Sequence, residues 1–252
     1  RSWPAAEACQ EGREEGSSEE GRCQEDDRQE GSYEEDGSKE GSSKGVTSST
    51  GTFIVFEGGE GAGKSTQVAL LRDALEAQGR EVVLTREPGG TPTAEAIRAL
   101  VLDVAHAGLD ARAEALLFAA ARAEHVSALI RPALERGATV ICDRYIDSSV
   151  AYQGLGRELG TDQIRELSAW ATENLAADLT IVLDIDPVVG LARAGQVSDA
   201  PDRMESEALS FHQMVRAAFL NAAAANPATY AVIDATASPA EIHTQIVARI
   251  QA

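Results

Sequence analysis

From position 58 the chain reads Gly58-Gly59-Glu60-Gly61-Ala62-Gly63-Lys64-Ser65, then Thr66. At this spacing, Gly-x-x-x-x-Gly-Lys-Ser, a backbone can curl so that successive N–H groups point at phosphate oxygens. An apolar, strand-like run (Thr52 to Phe56) comes before it. A helix-like pattern (Val68, Leu71, Leu75) comes after, so a helix N-terminus adds its positive end. Lys64 would bring a full charge to the β- and γ-phosphates, and the Ser65 hydroxyl is placed to coordinate Mg²⁺. Lys64 is the only lysine after Lys44. Strand, loop and helix in this order predict a nucleotide-binding P-loop over residues 58–66.

A second constellation lies at Val140-Ile141-Cys142-Asp143-Arg144-Tyr145. An acid at the carboxyl end of a parallel strand shares a sheet edge with the P-loop. Asp143 can there hold Mg²⁺ or its water shell opposite Ser65, or else cap the following helix. Arg144 keeps its charge and is forked for phosphate oxygens, which suits a phosphate on an acceptor. Between Ala111 and Arg131, the spacing of Leu116, Ala120, Ala123 and Ile130 predicts a core-facing stripe. Phe118, Arg122 and His125 fall on a different face, where a ring and a guanidinium one turn apart could stack on and bond a planar base. An ordinary part-exposed Phe beside a solvated Arg fits the same spacing.

These residues need a frame. Strand candidates are Thr52–Phe56, Glu81–Thr85, Ala138–Asp143, Leu179–Asp184 and Thr229–Ile233, with helical stretches between them. That alternation predicts an α/β fold, a five-stranded parallel sheet with helices on both faces. Gly79 and Gly137 are expected helix stops. Ser238-Pro239-Ala240-Glu241 reads as a capping box before a last helix with the stripe Ile242, Ile246, Ile250.

Composition divides the 252 residues. Residues 1–50 hold 14 Asp/Glu against 6 Lys/Arg and no Leu, Ile, Phe or Met. Such a segment is expected to be a disordered acidic tail without chemistry. Repeats such as Ser-Glu-Glu-Gly, and the lack of Met before Met204, allow a further reading. Residues 1–45 would be a misread upstream frame with the true start near Val46; a genuine solubilising tail is the other reading. Residues 51–252 suit one domain. With a net charge of −19, the chain lacks the basic footprint that duplex DNA or an anionic membrane requires. Cys9, Cys23 and Cys142 show no zinc spacing and imply no disulfide framework. No apolar run approaches a membrane span and no signal segment is seen, so a cytoplasmic location is expected.

The run Asp143-Arg144-Tyr145-Ile146-Asp147-Ser148-Ser149-Val150-Ala151-Tyr152-Gln153-Gly154 closely resembles the signature of thymidylate kinases, the bacterial type in particular. Thr85-Arg86-Glu87-Pro88-Gly89-Gly90-Thr91, Leu117-Phe118 with Arg122, Asp184-x-Asp186-Pro187 and Asp202-Arg203-Met204-Glu205 resemble further motifs of that family, in order, from Thr52 to the C-terminus. The resemblance implies a P-loop fold like that of nucleoside-monophosphate kinases and ATP-dependent phosphorylation of dTMP to dTDP in dTTP biosynthesis. It also implies Mg²⁺ and a homodimer. By similarity Phe118 stacks on the thymine, Arg122 bonds the base edge, and Ser149 and Gln153 contact the base or its surroundings. Tyr152 lies under the deoxyribose and Glu60 accepts from its 3′-hydroxyl. Arg144 grips the dTMP phosphate, which Arg86 and Glu87 border.

The chain departs from the family in the lid, Leu191 to Arg203, where only Arg193 and Arg203 are basic. Arg193 is the expected partner of the transferring phosphoryl group, with Arg157 in reserve; Arg203, beside Asp202 at an expected helix start, could be held by an ion pair or a cap. Two other activities fit parts of the pattern. A deoxynucleoside kinase or another nucleoside-monophosphate kinase would share the fold. A P-loop switch ATPase would share the loop, with partner binding as its output.

Overall fold

A computed structural model describes residues 51–195 and 202–251. The expectations for the acidic tail lie outside the described residues, as does the lid stretch 196–201.

Five strands form one parallel sheet: β1 (Thr52–Gly58), β2 (Val82–Arg86), β3 (Thr139–Asp143), β4 (Leu179–Asp184) and β5 (Tyr230–Asp234), in the order β2-β3-β1-β4-β5. The expected strands are all present, β4 with the expected bounds and the others with one or both ends moved by one or two residues. Central β1 is a nearly continuous apolar run because both of its faces are covered. Phe53 and Val55 point to one side, with Val126, Ile130, Val140 and Tyr145. Ile54 and Phe56 point to the other, with Leu71, Ile141, Ile181 and Ile246. Edge strands β2 and β5 are only partly buried.

Helices α1 (Lys64–Glu76), α2 (Pro92–Leu102), α3 (Ala111–His125), α4 (Arg131–Glu135), α5 (Ile146–Ser149), α6 (Thr161–Thr172), α7 (Pro187–Ala194), α8 (Leu209–Ala225) and α9 (Pro239–Gln251) connect and cover the strands. Wide π-type turns at Val126–Ile130 and Val150–Gly156 continue α3 and α5. Gly79 and Gly137 both have positive φ just past a helix, as a stop requires. The capping box is formed: Ser238 Oγ donates to Glu241 Oε2 (2.6 Å), and Glu241 N donates back to Ser238 Oγ (3.4 Å).

Two expectations need correction. On α3, Leu116 and Ala120 face water, whereas Arg122 and His125 are sealed inside. Burying a charged face is tolerable only when it is paired, and Glu87, from the loop after β2, pairs with both side chains. The segment at Arg203 begins no helix; it is a turn, and α8 starts only at Leu209.

Candidate active site

Strand register brings the chemistry together. Phe56 of β1 aligns with Asp143 of β3, so the P-loop and the Asp143-Arg144 corner leave the same sheet edge. At the loop tip Gly61 (φ 64°) touches the Gly190 carbonyl of α7, where any side chain would collide. This contact of two glycines seats α7, with Arg193 in its last turn, against the phosphate loop. α1 begins behind Gly63, itself left-handed at φ 85°.

In the loop, Lys64 Nζ donates to the carbonyls of Gly58 (3.1 Å) and Gly59 (2.9 Å). Burial, aided by nearby Arg144, lowers its pKa. Ser65 is exposed at the start of α1. Asp143 caps nothing among the described residues: its Oδ1 is buried without a hydrogen-bond partner.

Arg144 adopts a left-handed backbone (φ 72°), a strained conformation for a residue with a side chain. Its N–H donates to the Phe56 carbonyl (2.8 Å), and its guanidinium donates to Glu60 Oε1 (2.6 Å) and the Gly58 carbonyl (3.2 Å). The Tyr152 hydroxyl donates to the same Glu60 oxygen (3.0 Å). Burial alone would raise the Glu60 pKa, but Arg144 and Lys64 outweigh it and hold the carboxyl at about 2. Burial drives Tyr152 upward, so its hydroxyl keeps its proton.

Beneath this corner Glu57 is fully buried and accepts from Tyr145 N (2.9 Å), Ser148 N (3.1 Å) and Ser148 Oγ (2.7 Å). Desolvation first, then the charge of Asp147, pushes its pKa to about 7. Glu57 therefore ties the strained turn to β1. The sequence offers one signal for it, a carboxylate in an otherwise apolar strand.

Farther along the cleft, Arg122 is nearly inaccessible. It donates to Glu87 Oε2 (2.7 Å), Ser168 Oγ (3.2 Å), Ser149 Oγ (2.8 Å) and the Tyr145 carbonyl (3.3 Å). His125 Nδ1 lies 3.0 Å from Glu87 Oε1, and its Nε2 lies 2.6 Å from Thr85 Oγ1. The Glu87 carboxylate is thus turned to the Arg122 side, while Arg86 pairs with Glu95 (2.8 Å). Phe118, Arg122, Ser149, Tyr152 and Gln153 all border one cleft of about 480 Å³, together with Arg86, Asp143, Arg144, Arg193 and the loop from Glu60 to Thr66. Gly58 and Gly59 are not among its lining residues. Arg98 also borders it, on α2 near Arg86 and Arg144; burial lowers its pKa. Nothing in its spacing marks it beforehand.

The three candidate arginines separate by environment. Arg203 is buried, with Nη1 2.6 Å from Glu114 Oε2 and Nε 2.9 Å from the Val101 carbonyl. Arg157 pairs with Glu207 (2.6 Å) and Glu114 (3.3 Å). Arg193 borders the cleft and donates to the Ala235 carbonyl (2.9 Å).

A phosphate-binding loop at the carboxyl edge of a 2-3-1-4-5 sheet, with an arginine corner and a ring-lined recess facing it, defines a P-loop phosphotransferase of the nucleotide-kinase kind. Residues 56–246 match the family model described as thymidylate kinase. The chain is 52% identical over 203 residues to the thymidylate kinase of Clavibacter michiganensis, covering 81% of this chain and 96% of that one. It is 48% identical over 202 residues to that of Deinococcus radiodurans, covering 80% and 97%. The crystal structure of thymidylate kinase from Ehrlichia chaffeensis superposes with a TM-score of 0.66 at 35% identity, over 80% of this chain and 98% of that one. The chain belongs to the thymidylate kinase family.

Proposed function

We propose that this cleft works as a two-ended site in which ATP enters over the P-loop and dTMP enters over Phe118 and Arg122. The overall reaction is the family's, ATP-dependent phosphorylation of dTMP to dTDP. The observation that carries the proposal is the convergence of Lys64, Arg144, Tyr152, Phe118 and Arg122 on the walls of one cleft.

At the acceptor end, Phe118 stacks on the thymine, and Arg122, Ser149 and Gln153 meet its polar edge. Tyr152 lies under the deoxyribose and Glu60 accepts from the 3′-hydroxyl. Arg144 grips the dTMP phosphate. At the donor end, backbone N–H groups of 58–66 cradle the phosphates and Lys64 leaves its loop carbonyls for the β/γ oxygens. Arg193 neutralises charge on the moving phosphoryl, a role for which Arg157 and Arg203 are less suited because Glu114 engages both. No general base is needed, since the acceptor is already an anionic phosphate; catalysis is in-line positioning and charge neutralisation. Exclusion of water keeps ATP from hydrolysis.

A hydroxyl and an unpartnered buried carboxylate oxygen suit a hard cation, so Ser65 and Asp143 would hold Mg²⁺. The ion would supply charge neutralisation between the β- and γ-phosphates.

The same proposal takes residues 51–252 as the catalytic domain, gives no chemistry to residues 1–50, and places the enzyme in the cytoplasm as a homodimer. In its support, no described helix is long and apolar enough to cross a membrane. Leu100 on α2, Leu116 on α3 and Trp170 on α6 leave large apolar side chains exposed on adjacent helices.

A coupled ATP-to-ADP assay tests the reading. Turnover should require Mg²⁺ and dTMP, fall modestly with dUMP, whose missing methyl is worth ~1–3 kcal/mol, and be negligible with AMP or GMP. Equal use of AMP or GMP would contradict it.

A further inference from the structure

Glu114, on α3, is a buried carboxylate that three side chains engage. It is fully buried and stands four residues before Phe118 and eight before Arg122, both of which line the cleft. Oε2 accepts from Arg203 Nη1 (2.6 Å). Oε1 accepts from Arg157 Nε (3.3 Å) and from Gln153 Nε2 (2.9 Å).

The last contact has a chemical consequence. A primary amide has a donor end and an acceptor end, while a carboxylate only accepts. With Glu114 beside it, Gln153 must turn its NH₂ toward the carboxylate, because the flipped amide would set a carbonyl against two acceptor oxygens. The carbonyl is then the polar end that Gln153 has left for the cleft it borders. Arg122 is constrained in a similar way. Its contacts with Glu87, Ser168, Ser149 and Tyr145 use four of its five N–H groups, leaving one on Nη1. Arg122 and Gln153, which both border the cleft, thus keep one unused donor and one unused acceptor between them. Thymine presents the complement, a carbonyl at C4 beside an N3–H. Cytosine presents an amino group beside a bare N3 and mismatches both.

We propose that Glu114 is a positioning residue for pyrimidine discrimination, holding the Gln153 amide with its carbonyl toward the base. The proposal rests on the reading that dTMP is the acceptor and that its base meets Gln153, and it adds what sets the polarity of that contact. A site built to hydrogen-bond one base edge rejects an analogue that leaves its buried polar groups unpaired.

The test compares kcat/KM for dTMP and dCMP in the wild type and in Glu114→Gln. A glutamine at 114 can present either amide end, so Gln153 is no longer held one way. The dTMP/dCMP ratio should fall roughly tenfold or more, and the loss with dTMP should fall on KM more than on kcat. A purely structural Glu114 would lower melting temperature and turnover with both nucleotides while leaving the ratio intact, and that result overturns the proposal. Should Glu114→Gln not fold, Glu114→Asp keeps the charge for Arg157 and Arg203, shortens the reach to Gln153, and is read by the same ratio. Without any variant, N3-methyl-dTMP should compete with dTMP at least tenfold more weakly than dTMP analogues with a free N3–H; equal competition also overturns the proposal. A wild-type enzyme using dCMP as readily as dTMP would remove the thymidylate reading itself, a failure distinct from an unchanged ratio in the variant.

Discussion

The two ends of the cleft are built on different terms. At the base end, Arg122, His125, Glu87 and Glu114 are buried and already paired, so the wall exists before a nucleotide arrives. At the phosphate end, the charged groups rest on partners that a nucleotide would displace: Lys64 on the Gly58 and Gly59 carbonyls, Arg144 on Glu60. On the proposed reading, selectivity would come from groups too expensively buried to move, and catalysis from charges that change partners on binding. A fixed wall costs little further ordering, and charges that reach full effect only in the transition state raise kcat without tightening the ground state.

That division can be broken at either end. The largest effect is expected from Arg193→Ala, which should lower kcat by about 10³-fold or more, as loss of an arginine finger does, with dTMP affinity little changed. If steady-state kinetics instead find the loss in Arg157→Ala while Arg193→Ala retains most of its kcat, the choice of lid arginine is wrong. Glu87→Ala attacks the fixed wall. It strands Arg122 and His125 without their carboxylate, and breaking a buried pair costs about 3–5 kcal/mol. Denaturant melts should show a stability loss of that order. A variant as stable as wild type would mean that the base wall is not held in this way.

The smallest effect sharpens the comparison at the corner between the ends. Glu57 has its folded pKa raised from 4.5 to about 7, so between those values the native state binds more protons than the unfolded chain. Its contribution is therefore present at pH 4.5 and lost as pH rises to 7, with a slope of at most about 1.4 kcal/mol per pH unit for one proton. Glu60, held at about 2, acts oppositely, and its stabilisation is lost only as pH falls from 4.5 toward 2. In urea titrations at pH 5 and pH 7.5, Glu57→Gln should show less decline than wild type over this interval. An identical decline would assign the titration elsewhere.

Much of the fold was legible because its signals are local. A strand buried on both faces must be an apolar run, and the P-loop spacing is set by backbone geometry, so β1 to β5 and residues 58–66 could be read directly. The α3 face could not. Periodicity sees Leu116 and Ala120 as core, but burial of Arg122 is decided by Glu87, which lies 35 residues earlier and meets it only through the fold. The π-type turns at Val126–Ile130 and Val150–Gly156 insert residues without a compositional mark. Arg98 and Glu114 stayed invisible for a related reason: an arginine or glutamate on a helix reads as solvated until its partners are known. The family-like motif gave Tyr152 and Gln153, but only the structure shows Glu60, Arg144 and Tyr152 joined in one cluster.

The division of labour between the two ends is tested most directly by calorimetric titration of dTMP into wild type and into Lys64→Ala, beside their turnover. Lys64 has its contacts within the P-loop and none with the base wall, so the variant should bind dTMP within about twofold of wild type while kcat falls by roughly 10²-fold or more, the scale for loss of a principal electrostatic contact. A folded Lys64→Ala protein whose dTMP affinity collapses along with its turnover would contradict that division, and near-normal turnover would remove the P-loop from the catalytic site.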